Sequence, residues 1–368
     1  MRIIYDARVV GWPLSGLGRF TGDLLMALLD SELRQDVRVT VLAPIEQSAA
    51  MPFWDRLAPY VAQDRCAVHR LSTPAISIRQ HVVVPRYLRR IGGDLYFYPH
   101  FDVPASVAIP FVFVIHDLIP LKVPGYVRSM ELLKKHYFRT CIRRALGASR
   151  RCVAVSATTR SDVIGEFGAE WAPKIGVSFE GSWLRADNVD PLLRCHLGVT
   201  GSYLLYVGTR RPNKNIKYMI DVFAQMRALG YGGELVMAGS TENFGFDVDR
   251  YAARIQGVRI LGPVRDDELG SLYAGTDALM FLSTYEGFGL PLIEAARFGR
   301  RMIVSDAPAV REIAPPSACR ISLASEPAAA AAQALDYLRN MENAIDLSAY
   351  CETFSWPSIV RTIFQEAY

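Results

Sequence analysis

Two carboxylates, Glu286 and Glu294, flank a predicted helix start that follows an apolar run, 278–282. The run is typical of a buried parallel strand, and Pro291 suits the first turn of a helix. Gly289 lets the backbone approach a ligand, and the N–H groups at the helix start favour an anion. Because acidic residues suit hydroxyl groups, this stretch predicts a ligand with both phosphate and hydroxyls, such as a nucleotide sugar. The alternative is an ordinary strand–helix turn with two solvated glutamates.

Three cations stand between another predicted strand, 203–208, and the helix that follows it. They are Arg210, Arg211 and Lys214, a grouping that favours a diphosphate site. The alternative is an exposed loop with unpaired cations, and the pattern does not decide which arginine would contact the ligand. After the next strands, the turn that contains Val264 has a backbone that could meet a planar base.

In the first half of the chain, His116 is a candidate site residue because it directly follows the predicted strand 111–115. Parallel sheets place their ligands at such strand ends, where a histidine can donate a hydrogen bond or transfer a proton. The alternative is a histidine satisfied by Asp117 or by backbone. Gly16 and Gly18 are predicted to form a flexible loop after the first strand, although their spacing is not that of a dinucleotide fingerprint.

Strands alternate with helices in both halves of the chain, which predicts parallel, doubly wound sheets. The 368 residues exceed what one hydrophobic core usually supports, and 51% hydrophobic with 21% charged residues is typical of a globular α/β protein. The periodicity fades over 179–200, which predicts a linker between two domains. The proline-rich stretch 44–64 is predicted to be a loop.

Composition excludes several classes of protein. A net charge of +4 is too small to indicate nucleic-acid binding. The six cysteines are scattered, which predicts reduced thiols in the cytoplasm and no zinc site. No apolar run approaches the roughly 20 residues of a spanning helix, and no signal peptide is recognised at the start. The pair Asp247 and Asp249 is interpreted as helix capping away from the motifs above, so we expect neither a metal nor a cofactor.

Segment 126–151 is strongly basic, with eight lysines and arginines against one acid, Glu131. Apolar residues recur in it at helical spacing. A basic amphipathic helix can lie on an anionic membrane or reach the phosphates of an acceptor. The alternative is a solvated helix face.

Taken in order, these segments resemble the retaining glycosyltransferases of family 4, which have the GT-B fold. The matching pieces are the following: Gly16 to Arg19, His116-Asp117, Val155-Ser156 with Asp162, Tyr206 to Thr209, Lys214-Asn215, Gly262 to Val264 with Leu272-Tyr273, and Glu286 to Pro291 with Glu294. The last is the family's Glu-x7-Glu signature. One departure is Thr209, which occupies a position where the family commonly has an arginine.

The resemblance implies an α/β protein of two Rossmann-like domains that face each other across a cleft. Residues 1–185 would bind the acceptor, residues 195–354 the nucleotide sugar, and 355–368 would cross back to the first domain. It assigns Glu286 to the hydroxyls of the donor sugar, Glu294 to the ribose, and Lys214 with Arg210 or Arg211 to the diphosphate. It also assigns phosphate and sugar contacts to the amides of Phe288, Gly289 and Leu290, places His116 beside the reacting sugar, and lets Gly16 and Gly18 close over the donor.

The activity implied is metal-independent transfer of a hexose with retention of configuration, by attack on the face that the phosphate leaves. The motif variants look most like bacterial mannosyltransferases, so GDP-mannose is the preferred donor. The preferred acceptor is a glycan, in particular a lipid-linked polysaccharide precursor at the inner face of the plasma membrane. Three alternatives stay open: a UDP-sugar-dependent enzyme of the same family, a nucleotide-sugar 2-epimerase, and a nucleotide-sugar-binding protein without activity.

Overall fold

The computed structural model describes residues 1–10, 16–31, 37–45, 53–127, 131–182, 184, 186, 189–240, 247–340 and 347–365. The strands in chain order are β1 (Arg2–Asp6), β2 (Arg38–Pro44), β3 (Cys66–Leu71), β4 (Leu95–Tyr98), β5 (Phe111–Ile115), β6 (Arg151–Ala154), β7 (Ile175–Val177), β8 (Tyr203–Val207), β9 (Glu234–Ala238), β10 (Val258–Gly262), β11 (Ala278–Phe281), β12 (Arg301–Ser305) and β13 (Cys319–Ile321).

The α-helices in the same part of the chain are α1 (Gly16–Asp30), α2 (Phe53–Ala62), α3 (Gln80–Ile91), α4 (Ile119–Lys122), α5 (Glu131–Ala148), α6 (Ala157–Phe167), α7 (Leu193–His196), α8 (Ile216–Ala228), α9 (Val248–Ala252), α10 (Asp266–Gly275), α11 (Leu290–Arg297), α12 (Pro308–Ile313), α13 (Pro327–Asn340), α14 (Ser348–Glu352) and α15 (Trp356–Val360). Short 3-10 helices cover Ala169–Lys174 and Pro212–Lys214, and a π-helical turn covers Arg361–Gln365.

The chain divides into two compact units. The first comprises Met1–Leu118, Leu132–Gly181 and Ser355–Tyr368, and the second comprises Ile119–Glu131 and Ser182–Phe354. The short segment Ile119–Glu131 therefore groups with the second unit, although it follows β5 of the first.

The described strands of the first unit form one parallel sheet in the order β3-β2-β1-β4-β5-β6-β7. Those of the second form a parallel sheet in the order β10-β9-β8-β11-β12-β13. Helices cover such sheets, so their strands are apolar along their whole length; every residue of β4, β5 and β11 is buried. The strand order reverses between β1 and β4 and between β8 and β11, where doubly wound sheets bind ligands beyond the carboxyl ends of the strands.

A buried ion pair fixes the carboxyl end of β1. Arg8 donates from Nε to Oδ1 of Asp6 (2.8 Å) and from Nη2 to Oδ2 (2.7 Å), and both residues are at most 2% exposed. Tyr96 in β4 also donates to Asp6 (2.6 Å), and Arg8 Nη1 donates to the Thr73 carbonyl (3.0 Å). These partners satisfy charges that would otherwise be costly to bury.

The segment that begins at Ser355 packs onto the rest of the first unit. The indole of Trp356 lies so close to Gly181 that a Cβ there would be 2.7 Å from the ring. Phe364 contacts Phe97 of β4, with ring centroids 5.2 Å apart. The end of the described chain therefore contributes to the core of the first unit.

Most predicted strands are present within two residues of their predicted ends, but several elements differ. The predicted loop 44–64 is wrong, because α2 lies within it; its mixture of polar residues and Pro59 hid a helix that buries Phe53 and Leu57. The strands β3 and β13 were not predicted, since β3 has His69 and Arg70 among its apolar residues and the three residues of β13 leave no periodicity to detect. The predicted loop around Gly16 and Gly18 is also wrong, because α1 begins at Gly16. Of the basic segment, Arg128 and Met130 lie outside the described residues.

Candidate active site

The loops after β8 and β11 meet where the strand order of the second unit reverses. Lys214 follows β8 and Glu286 follows β11, and their side chains form an ion pair with Nζ and Oε1 2.7 Å apart. The side chains are 16% and 8% exposed, so this is a largely buried pair at the carboxyl edge of the sheet. The Lys214 ammonium also lies 5.2 Å from the centroid of the Phe281 ring. An ammonium has three N–H donors, so Lys214 can bind a further oxygen while it holds Glu286.

Asn213 fastens these two loops to each other. Its Nδ2 donates to the Tyr285 carbonyl (3.0 Å), and its own carbonyl accepts from the Thr284 N–H (2.8 Å) and hydroxyl (3.2 Å). Asn213 is buried within the 3-10 turn, which begins at Pro212. A proline is tolerated there because the N–H it lacks would have no helical partner. The position of Lys214 is therefore fixed by backbone contacts on both loops.

The side chain of Arg210 is buried beside Gly239, whose backbone lies close to that of Gly208. Gly239 has φ +129°, and a Cβ on it would lie 2.2 Å from the Gly208 carbonyl oxygen, so position 239 needs glycine. Arg210 is 4% exposed and donates from Nη1 to the Gly239 carbonyl (3.0 Å). Its Nε lies 3.5 Å from Oδ1 of Asp249.

The aspartate pair is therefore not remote from the motif loops, as the sequence had suggested. Asp247 caps α9 by accepting a hydrogen bond from the Arg250 N–H (2.9 Å), which is the predicted role. Asp249, by contrast, neutralises part of the charge of Arg210. The sequence hid this contact because it depends on the packing of α9 beside the loop after β8.

Arg211 points to a different partner, Tyr126. Its guanidinium donates to the Tyr126 hydroxyl and lies over the ring, 5.5 Å from the centroid. Tyr126 belongs to the segment Ile119–Glu131 that groups with the second unit. The two arginines thus occupy distinct environments, Arg210 buried against backbone and Arg211 stacked on an aromatic ring.

Glu294 lies within α11, and its hydrogen bond with Tyr273 differs from the ion pair of Glu286. Its Oε2 accepts a hydrogen bond from the Tyr273 hydroxyl (2.8 Å), and Glu294 is 6% exposed. Tyr273 comes from α10 and stacks on Phe298, with ring centroids 5.6 Å apart and 18° between the planes. The carboxylate is therefore held in one orientation by a neighbouring helix.

The backbone that leads into α11 is buried. Gly289 precedes the helix at φ +106°, a left-handed conformation that favours glycine, and Leu290 is the first helical residue. Phe288 is buried and packs edge-on against Phe354, with centroids 5.8 Å apart. Val264 lies farther along the same edge, half-buried between β10 and α10. The first N–H groups of α11 form a weakly positive end near the Lys214–Glu286 pair.

In the first unit, both ring nitrogens of His116 are engaged. Nδ1 lies 2.6 Å from Oε1 of Glu180, and Nε2 lies 2.9 Å from the Pro99 carbonyl oxygen. Burial alone would lower the pKa of His116, but the hydrogen bond and charge of Glu180 outweigh it and raise the pKa above its ordinary value. His100, close by, shows the opposite effect: burial and the charge of His116 lower its pKa to about 3.

The start of α1 lies beside this histidine. Phe20 meets the His116 ring edge-on, with centroids 4.8 Å apart. Gly16 and Gly18 precede it in the first turn of α1; Gly18 is buried and Gly16 is exposed, with open space around it. Through Phe20, α1 therefore contacts His116 at the end of β5.

Three contributing residues were missed by the sequence reasoning as site residues: Glu180, Tyr273 and Tyr126. Glu180 falls in the stretch interpreted as linker, where periodicity carried no information. Tyr273 was noted only as part of a motif, and Tyr126 only as the edge of the basic segment. Each acts through a contact distant in sequence, which spacing alone does not reveal.

The described residues contain no group of three or more His, Cys, Asp or Glu side chains placed to hold a metal ion. None of their helices is both long enough and apolar enough to cross a membrane.

Comparisons with known proteins agree with the two-unit arrangement. Residues 14–174 match the family model described as Glycosyltransferase Family 4, and residues 197–352 match the one described as Glycosyl transferases group 1. Among solved structures, Anabaena HepE in complex with UDP and glucose superposes with a TM-score of 0.69 over 99% of this chain and 95% of that chain, at 18% identity. At this identity the likeness shows the fold alone.

Two curated proteins are similar to this chain in sequence. The Escherichia coli O-antigen chain mannosyltransferase B is 24% identical over 85% of this chain and 84% of its own length. The GDP-mannose:cellobiosyl-diphosphopolyprenol alpha-mannosyltransferase of Komagataeibacter xylinus is 28% identical over 62% of this chain and 58% of its own length. The curated mannosyltransferases other than the first match over only 26% to 58% of their own length. With its two parallel sheets and both family models matched, this chain belongs to the family 4 glycosyltransferases of the GT-B fold.

Proposed function

We propose that this glycosyltransferase moves mannose from GDP-mannose to a glycan acceptor, in particular a lipid-linked polysaccharide precursor. The observation that carries the proposal is the buried Lys214–Glu286 pair beside the start of α11, which offers a cation, a carboxylate and helix amides at one strand edge. The choice of mannose draws support from relatives whose names specify mannosyl transfer, one of them from GDP-mannose to a diphosphopolyprenol-linked acceptor.

In this proposal the second unit holds the donor. Lys214 and the amides of Phe288, Gly289 and Leu290 bind the diphosphate, and Glu286 binds hydroxyls of the transferred sugar. Glu294, oriented by Tyr273, binds the ribose. A second cation for the diphosphate comes from Arg210, whose Nη1 donates to the Gly239 carbonyl, or from Arg211, which donates to the Tyr126 hydroxyl. Val264 lies where its backbone would meet the base.

The proposed reaction is a direct exchange of bonds at the anomeric carbon. The bond from that carbon to the phosphate oxygen breaks and a bond to the acceptor oxygen forms on the same face. The acceptor proton passes to the departing phosphate oxygen, so GDP leaves and the α configuration is retained. Lys214 and the helix start stabilise the negative charge of the leaving group, which allows transfer without a metal. Equal rates with and without a chelator would support that part of the proposal.

In the first unit, His116 is proposed to act beside the reacting sugar, with Gly16 and Gly18 contributing backbone that approaches the donor. The values of kcat/KM of two variants test these assignments. Glu286→Gln and His116→Asn should each lower kcat/KM by about 100-fold, the usual cost of one polar contact to a transition state. Unchanged turnover in either variant would contradict its assignment.

A donor screen tests the function as a whole. Purified protein would be given GDP-mannose or UDP-sugars together with a lipid-linked glycan pool, and nucleoside diphosphate release would be measured. We expect GDP release that depends on the acceptor. Solved relatives bound to UDP-glucose make a UDP-sugar donor the second candidate, and turnover of UDP-sugars alone would favour it. Product formed from the donor without any acceptor would favour a 2-epimerase, and no turnover of any donor would favour an inactive binding protein.

We also propose that the first unit binds an anionic membrane surface through α3 and α5. Leu132 of α5 and Ile78, which lies just before α3, are each 85% exposed, and Leu133 and Val82 are exposed as well. The two helices are joined where His81 Nε2 lies 3.2 Å from the Tyr137 hydroxyl. The helices also carry basic residues, listed here: Arg86, Arg89, Arg90, Lys134, Lys135 and Arg139. Exposed apolar side chains among cations suit a surface of anionic lipid better than a purely solvated face.

Vesicle binding tests this membrane proposal. Each basic residue near an anionic surface contributes about 1 kcal/mol, so changing Lys134 and Lys135 to Glu should weaken binding by about 30-fold or more. Leu133→Ser should weaken it further, and Lys217→Glu in the second unit serves as control. Equal binding of phosphatidylglycerol vesicles by wild type and all variants would favour the solvated face.

A further inference from the structure

The two nitrogens of the His116 ring both face hydrogen-bond acceptors. The Pro99 carbonyl, 2.9 Å from Nε2, accepts and cannot donate, so Nε2 carries a proton. The Glu180 carboxylate, 2.6 Å from Nδ1, is likewise an acceptor when ionised, so Nδ1 carries a proton too. Beside an ionised Glu180, a neutral imidazole has a single N–H and cannot donate to both acceptors. The geometry is therefore that of an imidazolium.

The surroundings of the ring favour that charge. Glu180 is 5% exposed and reaches His116 from the segment after β7. Asp117, next in the chain, adds a second negative charge. His100, which follows β4, is the nearby basic side chain, and burial and the charge of His116 lower its own pKa. The other neighbours, Phe20 of α1 and Thr159 of α6, are uncharged. Since His100 stays neutral above a pKa of about 3, it adds no competing charge near neutral pH.

We propose that Glu180 is a positioning residue that keeps His116 doubly protonated, so that His116 serves as a fixed cation and not as a proton acceptor. The role in catalysis rests on the proposed glycosyl transfer. It deepens that proposal, because a ring with both N–H groups committed leaves the acceptor proton to the departing phosphate oxygen. It also assigns a task to Glu180, a residue that stands in the stretch where the sequence indicated only a linker.

The protonation state can be measured without any substrate, so this test is independent of whether the proposed function is right. The ¹⁵N shifts of the His116 ring would be followed against pH in the wild type, in Glu180→Gln and in Glu166→Gln. Glu166 pairs with Arg139 through a 2.6 Å contact on the surface of the same unit and is the matched control. We expect an imidazolium at pH 7 in the wild type and in Glu166→Gln, and a titration shifted to lower pH in Glu180→Gln. A neutral His116 ring at pH 7 in the wild type, which needs no variant to fold, would overturn the proposal.

The catalytic consequence is tested by the pH dependence of kcat/KM. The wild type should lose activity on the alkaline side as His116 loses its proton, and Glu180→Gln should lose it at lower pH. Glu180→Asp, which keeps a carboxylate, should restore the wild-type limb at least in part. If Glu180→Gln only lowers the rate by the same factor at every pH, Glu180 is merely structural and the proposal fails.

Discussion

Removal of Lys214 should destabilise the second unit far more than removal of an exposed lysine with a similar ion pair. Two unit charges 2.7 Å apart attract by about 6 kcal/mol at an effective dielectric constant of about 20. Much of that is offset by desolvation, but Lys214→Met leaves the Glu286 carboxylate buried without its cation. Such a loss costs about 3–5 kcal/mol. Lys217, whose Nζ lies 2.8 Å from Asp221 with side chains 58% and 25% exposed, is the control, and Lys217→Met should cost less than about 0.5 kcal/mol.

Urea unfolding measures both values, and a double variant separates stability from activity. Lys214→Met combined with Glu286→Gln removes both charges, so most of the lost stability should return. Activity should not return, because neither the phosphate cation nor the sugar-binding carboxylate is present. If Lys214→Met and Lys217→Met change the free energy of unfolding by similar amounts, the pair is screened by solvent and our account of this site is refuted.

Three further changes test other parts of the structure. Tyr273→Phe keeps the stacking on Phe298 but removes the hydrogen bond to Glu294, so the KM for the donor should rise about 10-fold with kcat little changed. The control is Tyr231→Phe, which loses a hydrogen bond to Asp277. An unchanged KM in Tyr273→Phe would contradict the assignment of Glu294 to the ribose. Asp6→Asn should lower the free energy of unfolding by about 3–5 kcal/mol, because it leaves Arg8 buried without its counterion. The control is Glu166→Gln on the surface, for which we expect a loss of roughly 1 kcal/mol. A loss in Asp6→Asn no larger than that of the control would contradict this prediction. Between pH 6.5 and about 3, His100 is protonated in the unfolded chain but not in the folded chain, so the free energy of unfolding should fall as the pH falls. In His100→Asn this dependence on pH should be weaker. Parallel plots of the free energy of unfolding against pH for wild type and variant between pH 7.5 and 5 would show that His100 contributes nothing.

The sequence predicts the central strands of both sheets well because these are long apolar runs bounded by turn residues. The run 111–115 coincides with β5, and the run 278–282 contains β11. Edge elements fared worse: β13 is three residues long, and α2 carries a proline and buries two of its first five residues. A regular spacing of apolar residues marks elements with a large buried face, and the buried faces of β13 and α2 are small.

At the candidate site, the motif residues could be named from the sequence but their partners could not. Lys214 and Glu286 were both singled out, yet nothing in their spacing shows that they pair directly. Glu180 and Tyr273 orient two of the named residues through contacts between separate elements. The pairing of Arg210 with Asp249 ran against the expectation that the aspartates lie apart from the motif loops. Such contacts follow from how the elements pack, which a single sequence does not encode in any local pattern.

The most direct test of the proposed function is the stereochemistry of the product. Protein supplied with GDP-α-mannose labelled with ¹³C at the anomeric carbon, together with the lipid-linked acceptor pool, would be followed by NMR through the one-bond carbon–hydrogen coupling at that carbon. We predict a new α-mannoside that accumulates at the same rate as GDP. A β-linked product, or free mannose and GDP with no acceptor-linked signal, would contradict retaining mannosyl transfer.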